Sequence, residues 1–178
     1  SQFGGGVYCV FVYYETNGQV SQSVHNILTA LQRRKINIII VTNVKLSDSQ
    51  SAVLTQYSHT LVLRGNKGFD FGAYKDCVLH LQQKAPDLTR LILLNDSVYY
   101  FSNEIDHFVD GLLGNDDSIA AFENWDPIHA YHLQSFALSV SRNVFDHPSF
   151  LAFWKGYTPV NNRLHAISQG EKKLSNAC

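Results

Sequence analysis

Four short apolar runs without polar alternation constrain the fold of this chain more than any other feature. They are residues 7–14 (VYCVFVYY), 36–41 (INIIIV), 59–63 (HTLVL) and 91–94 (LILL). A strand with one face in water alternates in polarity, so these runs predict strands covered on both faces. Helical patterns separate them. Residues 20–34 place Val24, Ile27, Leu28 and Leu31 on one stripe, with Ser21 or Ser23 available as cap. Residues 48–57 predict a weaker helix, and 71–83 a helix with Tyr74, Val78 and Leu81 on one side, ended before Pro86. Strands alternating with helices predict an α/β fold with a mainly parallel sheet flanked by helices.

The pattern changes after residue 115. Residues 118–122 predict a strand, and 123–130 a polar loop carrying Trp125, Asp126 and Pro127. Residues 132–140 predict a half-buried strand antiparallel to the rest, and 146–154 a short helix with Phe150, Phe153 and Trp154. The last twenty residues carry no firm element. A length of 178 residues fits a single domain over 1–178. Hydrophobic residues at 45% exclude disorder, and a net charge of −1 excludes the summed field of a nucleic-acid binder. No apolar stretch reaches the roughly 18 residues of a membrane span. Cys9, Cys77 and Cys178 form neither a pairable set nor a C-x-x-C, which predicts a reducing compartment and a cytoplasmic location. The chain lacks methionine even at position 1, so the expectation is a domain cut from a longer protein.

In parallel sheets of this kind ligands bind beyond the carboxyl ends of the strands. Polar segments stand there: residues 15–18, Thr42-Asn43, 64–72 and Asn95-Asp96-Ser97. In R-G-N-K-G-F-D-F-G-A-Y (64–74), Gly65, Gly68 and Gly72 allow close backbone approach, while Arg64 and Lys67 supply charge at a helix start. Composition alone leaves two readings: a phosphate or sugar-diphosphate cradle, or a tight turn with Asp70 as N-cap. The spacing is neither Walker A nor G-x-G-x-x-G. Asp96, at the end of a buried strand, suits a divalent cation bridging a diphosphate, or a turn cap.

The motifs together carry more. R-G-N-K-G-F-D-F-G-A-Y, L-I-L-L-N-D-S-V-Y (91–99), H-L-Q-S-F (132–136) and F-x-x-F-W (150–154) resemble the rhamnan synthesis F (RgpF-type) family of polysaccharide glycosyltransferases. The resemblance runs from about residue 7 to residue 175 and implies a GT-A-like, Rossmann-like domain. By it, 1–115 is the nucleotide-sugar donor half and 116–178 the acceptor half. It places Arg64, Asn66, Lys67, Gly68, Asp70, Asn95, Asp96 and Ser97 on the donor side. GT-A enzymes usually show Asp-x-Asp, whereas Asn95-Asp96-Ser97 has one carboxylate, so Asp96 alone stands for a Mg²⁺ or Mn²⁺ ligand. The family tends to a Gly-Pro after the first aromatic, where this chain reads Tyr99-Tyr100-Phe101.

An inverting transfer needs a base for the acceptor hydroxyl. Residues 170–175 (GEKKLS) resemble the E-D-x-x-L-like segment that supplies it in GT-A enzymes, which makes Glu171 the candidate base and Asp126 the reserve. His132 and Gln134 share a strand face and either contact the diphosphate or acceptor or make structural hydrogen bonds. Trp125, Phe150 and Trp154 either stack on sugars or fill the core. The resemblance implies transfer of a sugar, rhamnose from dTDP-rhamnose, onto a glycan or lipid-linked glycan of a bacterial surface polysaccharide. The work would be done in the cytoplasm or at the inner face of the cell membrane. The competing expectation is a non-catalytic nucleotide-sugar or glycan-binding or scaffold domain of a larger synthase.

Overall fold

A computed structural model describes residues 6–65, 67–121, 123–126, 130–133, 137–162 and 165–178; for 123–126, 130–133 and 167 the backbone alone is described. Four parallel strands lead: β1 (Val7–Tyr13), β2 (Asn37–Thr42), β3 (Thr60–Leu63) and β4 (Arg90–Asn95). Helices α1 (Gln22–Arg33), α2 (Asp48–Tyr57) and α3 (Phe69–Lys84) connect them. Helix α4 (Ile105–Leu112) and strand β5 (Ser118–Ala120) come next, then β6 (Glu123–Asp126), β7 (Ala130–Leu133) and β8 (Ala137–Ser141). Helices α5 (Arg142–Phe145) and α6 (Pro148–Gly156) follow. The main sheet runs β3-β2-β1-β4-β8-β5, with β8 antiparallel to both neighbours, and β6 pairs with β7 apart from it. The α/β sheet expected from the four apolar runs is present, antiparallel strand included.

Side-chain alternation explains why those runs are apolar throughout. Tyr8, Val10 and Val12 pack into one core with α3 residues Phe71, Tyr74 and Val78 and α6 residues Phe150 and Trp154. Cys9, Phe11 and Tyr13 enter the opposite core with Val24, Ile27, Leu28 and Leu31 of α1. Each buried Ile or Leu contributes about 1.5–3 kcal/mol relative to exposure, which is why neither face tolerates polarity. Ser21 caps α1 by accepting from the Val24 amide at 3.3 Å, while Ser47 and Gln50 form a capping box on α2.

Several expectations are corrected. The loop expected at 123–130 contains β6 and the start of β7, and the single strand expected at 132–140 is divided between β7 and β8. A hairpin closing β6 on β7 supplies the backbone partners that let polar residues sit in strands. Helix α4 is new; Ile105, Val109 and Leu112 form its buried stripe. The last twenty residues, expected without structure, hold a π-helical segment Ala166–Glu171 running into a helix Lys172–Ser175. Phe150 and Trp154 are fully buried, so both fill the core and neither faces a sugar; the Trp125 side chain lies outside the described residues.

The loop before α3 is pinned from the far end of the chain. Gly68 adopts φ 81°, and its amide donates to Asn161 Oδ1 at 2.6 Å. A Cβ there would lie 2.3 Å from Pro159 Cβ. Lys75 reinforces the contact by donating to the carbonyls of Tyr157 and Lys155 at 2.5 and 3.1 Å. Gly68→Ala combines left-handed strain with a backbone clash and is expected to cost about 2–4 kcal/mol. Thermal unfolding should fall by roughly 5–15 °C, whereas Gly65→Ala, with open space around it, should leave it unchanged. Equal midpoints for the two variants would contradict this packing.

Candidate functional site

The strand order places a reversal between β1 and β4: the chain winds outward through β2 and β3, then returns to the other side of β1. The carboxyl ends of these two strands diverge there, the position at which open α/β sheets bind ligands. Asp96 stands at that point. Its Oδ2 accepts from the Tyr14 amide at 2.6 Å and the Glu15 amide at 3.0 Å, joining the ends of β4 and β1. Its Oδ1 enters no hydrogen bond among the described residues. The expectation of Asp96 as cap of its own turn is thus replaced by a clamp on the loop after β1.

Asp70 is placed differently from an N-cap. Helix α3 starts two residues earlier than expected, at Phe69, with Gly68 as cap. The Asp70 carboxylate accepts from buried Asn95 Nδ2 at 2.5 Å, and the Tyr14 hydroxyl lies near enough to favour its charged form. Tyr14 in turn accepts from Asn43 Nδ2 at 2.8 Å. A hydrogen bond to a charged group contributes about 1.5–3 kcal/mol and a neutral one about 0.5–1.5, so the Asn95–Asp70 bond ties β4 to α3 and the Asn43–Tyr14 bond ties β2 to β1. The Asn95 carbonyl accepts from the Tyr100 hydroxyl at 2.7 Å, and its Oδ1 from the Ser97 amide at 3.0 Å.

The electrostatics are unusual for carboxylates. Burial pushes Asp96 up to about 6; the charges of Glu15 and Asp70 add to the effect, and the two amides oppose it. Burial also raises Asp70, assisted by the negative charge of Glu171 and opposed by the hydrogen bonds from Asn95 and Tyr14. Glu171, a hundred residues away in sequence, therefore lies within electrostatic reach of Asp70. It ends the π-helical segment, an irregularity frequent at functional sites. Gly170 permits the approach, since a Cβ there would lie 2.9 Å from the Phe71 ring.

The remaining expected residues divide clearly. Arg64 is engaged: its Nε and Nη2 pair with Asp76 at 3.0 Å, and Nη1 donates to the Lys67 carbonyl at 3.1 Å. Its charge is felt at the Tyr14 hydroxyl, but its guanidinium serves the loop. Lys67 and Ser97 are exposed at the rim. In the β6–β7 pair Asp126 stands opposite Ala130 and His132 opposite Asn124; the side chains of both lie outside the described residues, as do Asn66 and Gln134. Tyr14, Glu15 and Asn43 join the site without having been singled out by motif. Their signal was position, directly beyond the carboxyl ends of β1 and β2.

A family model for RgpF, rhamnan synthesis protein F, matches residues 38–177. The chain belongs to the rhamnan synthesis protein F family. Both segments of the Asp70–Asn95–Asp96 cluster and Glu171 fall within the matched region, whereas Tyr14 and Glu15 precede it. Protein y4gN of Sinorhizobium fredii (strain NBRC 101917 / NGR234), an uncharacterized protein, is 27% identical over 169 residues. The match takes in 93% of this chain and 44% of that relative, so the chain spans less than half the relative's length. Among solved structures, a chain described as a nucleotide-diphospho-sugar transferase from Desulfovibrio desulfuricans G20 is 11% identical with a TM-score of 0.44, covering 78% of this chain and 67% of its own. A cytidylyltransferase from Leptospira borgpetersenii serovar Hardjo-bovis (strain JB197) is 12% identical with a TM-score of 0.40, covering 79% and 62%. Among the described residues of this rhamnan synthesis protein F domain, no helix is long and apolar enough to cross a membrane.

The raised Asp96 sets a pH dependence. Its folded-state value lies above its unfolded one, so the native state binds the extra proton and gains stability as pH falls through about 6. Asp96→Asn removes that titration while keeping an acceptor for the two amides. The unfolding midpoint of Asp96→Asn relative to wild type should be highest at pH 7 and decline toward pH 5. A difference that stays constant across this interval would contradict the desolvation of Asp96 beside the charges of Glu15 and Asp70.

Proposed function

We propose that this domain is a GT-A-type glycosyltransferase that moves rhamnose from dTDP-rhamnose onto a glycan or lipid-linked glycan of a growing bacterial surface polysaccharide. The observation that carries the reading is the Asp96 clamp at the β1–β4 reversal, with Asp70, Asn95 and Tyr14 arrayed beside it. Membership of a family described by rhamnan synthesis supports the sugar. The reaction is a single inverting displacement. Glu171 takes the proton of the acceptor hydroxyl, whose oxygen attacks the anomeric carbon, and the bond from that carbon to the diphosphate breaks. Asp126 is the reserve base. Lys67 and the N-terminal amides of α3 face the charge that develops on the departing diphosphate. Arg64 holds the loop that presents them.

Two half-buried carboxylates whose proton affinity desolvation raises, with the charge of Asp70 adding to the effect at Asp96, fit a hard cation better than they fit a bare diphosphate. Among the described residues no three His, Cys, Asp or Glu side chains form a cage, so phosphate oxygens and water would complete the coordination. Asp96, with Asp70 beside it, would hold Mg²⁺ or Mn²⁺, which would neutralise charge on the diphosphate. The domain works in the cytoplasm or at the inner face of the cell membrane.

A second reading, a nucleotide-sugar-binding module without turnover, is favoured by the single carboxylate of Asn95-Asp96-Ser97 and by its use as a structural clamp. Thermal shift with dTDP-, UDP- and GDP-sugars, with and without Mn²⁺, tests the site: dTDP-rhamnose with Mn²⁺ should raise the midpoint, and no response to any nucleotide would defeat both readings. Hydrolysis of the donor by wild type but not by Asp96→Ala distinguishes enzyme from binder. Glu171→Gln should lower transfer about 10²–10⁴-fold while donor affinity is retained; undiminished turnover would remove Glu171 as base.

A further inference from the structure

Four large apolar side chains stand exposed among the described residues, and all four lie at the carboxyl end of the sheet. Leu63 closes β3, Phe69 opens α3, and Tyr99 and Phe101 follow β4. Scattered exposed apolar residues need no explanation, but their collection on one rim does. Tyr99 and Phe101 are 59% and 62% exposed, with ring centroids 4.7 Å apart.

The residue between them is held from three sides. The Tyr100 amide donates to Ser23 Oγ at 2.8 Å, its hydroxyl to the Asn95 carbonyl at 2.7 Å, and its carbonyl accepts from Asn26 Nδ2 at 2.9 Å. Its ring packs against Phe11 and Phe108. Burying Tyr100 leaves its two neighbours outside, so the exposed pair sits on a fixed backbone. Such a pair loses little freedom on binding.

The surroundings decide what the pair fits. Residues 97–104 read SVYYFSNE, with no Lys or Arg, so the segment lacks the cations with which proteins grip anionic lipid surfaces. It follows Asp96 directly in the chain at the carboxyl end of β4, and the Asn95 carbonyl holds Tyr100 there. A pyranose ring has apolar C–H faces and a polar edge, matching flat aromatic surfaces with a polar handle such as the Tyr99 hydroxyl. We propose that Tyr99 and Phe101, their rings tilted 56° to each other, form an angled platform against which a pyranose ring of the acceptor glycan stacks at the carboxyl end of the sheet. The inference rests on the glycosyltransferase reading and names the acceptor's contact in that site.

The double variant Tyr99→Ala/Phe101→Ala tests it, and because both rings are exposed the variant should unfold at the wild-type temperature. Binding is measured on an array of bacterial oligosaccharides that includes rhamnose di- and trisaccharides, and by titration with dTDP. Wild type should bind at least one glycan, the double variant should bind it about tenfold more weakly, and dTDP affinity should be unchanged. Tyr99→Phe/Phe101→Tyr should restore glycan binding. Wild type that binds no glycan, equal glycan binding by wild type and the alanine variant, or a matching loss of dTDP affinity (the rings then hold a nucleobase) would each overturn the platform. Glycan binding through these rings without any response to dTDP or its sugars would support the platform and defeat the transferase reading.

Discussion

One carboxylate oxygen joins the two halves of the doubly wound sheet at its reversal point. Asp96 Oδ2 gathers the Tyr14 and Glu15 amides, so the loop after β1 and the loop after β4 cannot separate. The neighbouring Asn95 carries the connection to Asp70 on α3, and Tyr14 extends it to Asn43 at the end of β2. This network costs solvation, since burial raises both carboxyl groups. A half-buried carboxylate that is destabilised as an anion is a poor choice for stability alone. Its place at the β1–β4 reversal is coherent with the proposed site for a cation or a polar ligand.

The C-terminal segment gives the site its second wall. The π-helical segment seats Gly170 on Phe71 and brings the charge of Glu171 to bear on Asp70. Asn161 and Pro159 fix the glycine loop from the same side. The loop before α3 is therefore shaped by residues about ninety positions later, and Arg64 completes it by pairing with Asp76 and the Lys67 carbonyl. A loop held on both sides presents its amides without first having to order itself.

The central sheet was legible in the chain because burial on both faces leaves an unmistakable pattern: 7–14 and 91–94 are apolar at every position. Asp96 and Asp70 were legible as residues, because polar groups beyond buried strands stand where ligands bind. Their partnerships were not. Both looked like local caps, and each instead bonds across tens of residues, to Tyr14 and to Asn95, through contacts that only the closed sheet creates. The tail was illegible for a related reason. Its residues have weak local preference, and packing against α3 and α6 decides their form.

Amide chemical shifts followed by NMR while dTDP-rhamnose and Mn²⁺ are added test the account most directly. The Asp96 clamp predicts that the largest changes fall on Tyr14, Glu15, Asp96 and the first turn of α3 at Phe69 and Asp70. Changes confined to other surfaces, or none at saturating nucleotide, would contradict the assignment of this crevice as the donor site.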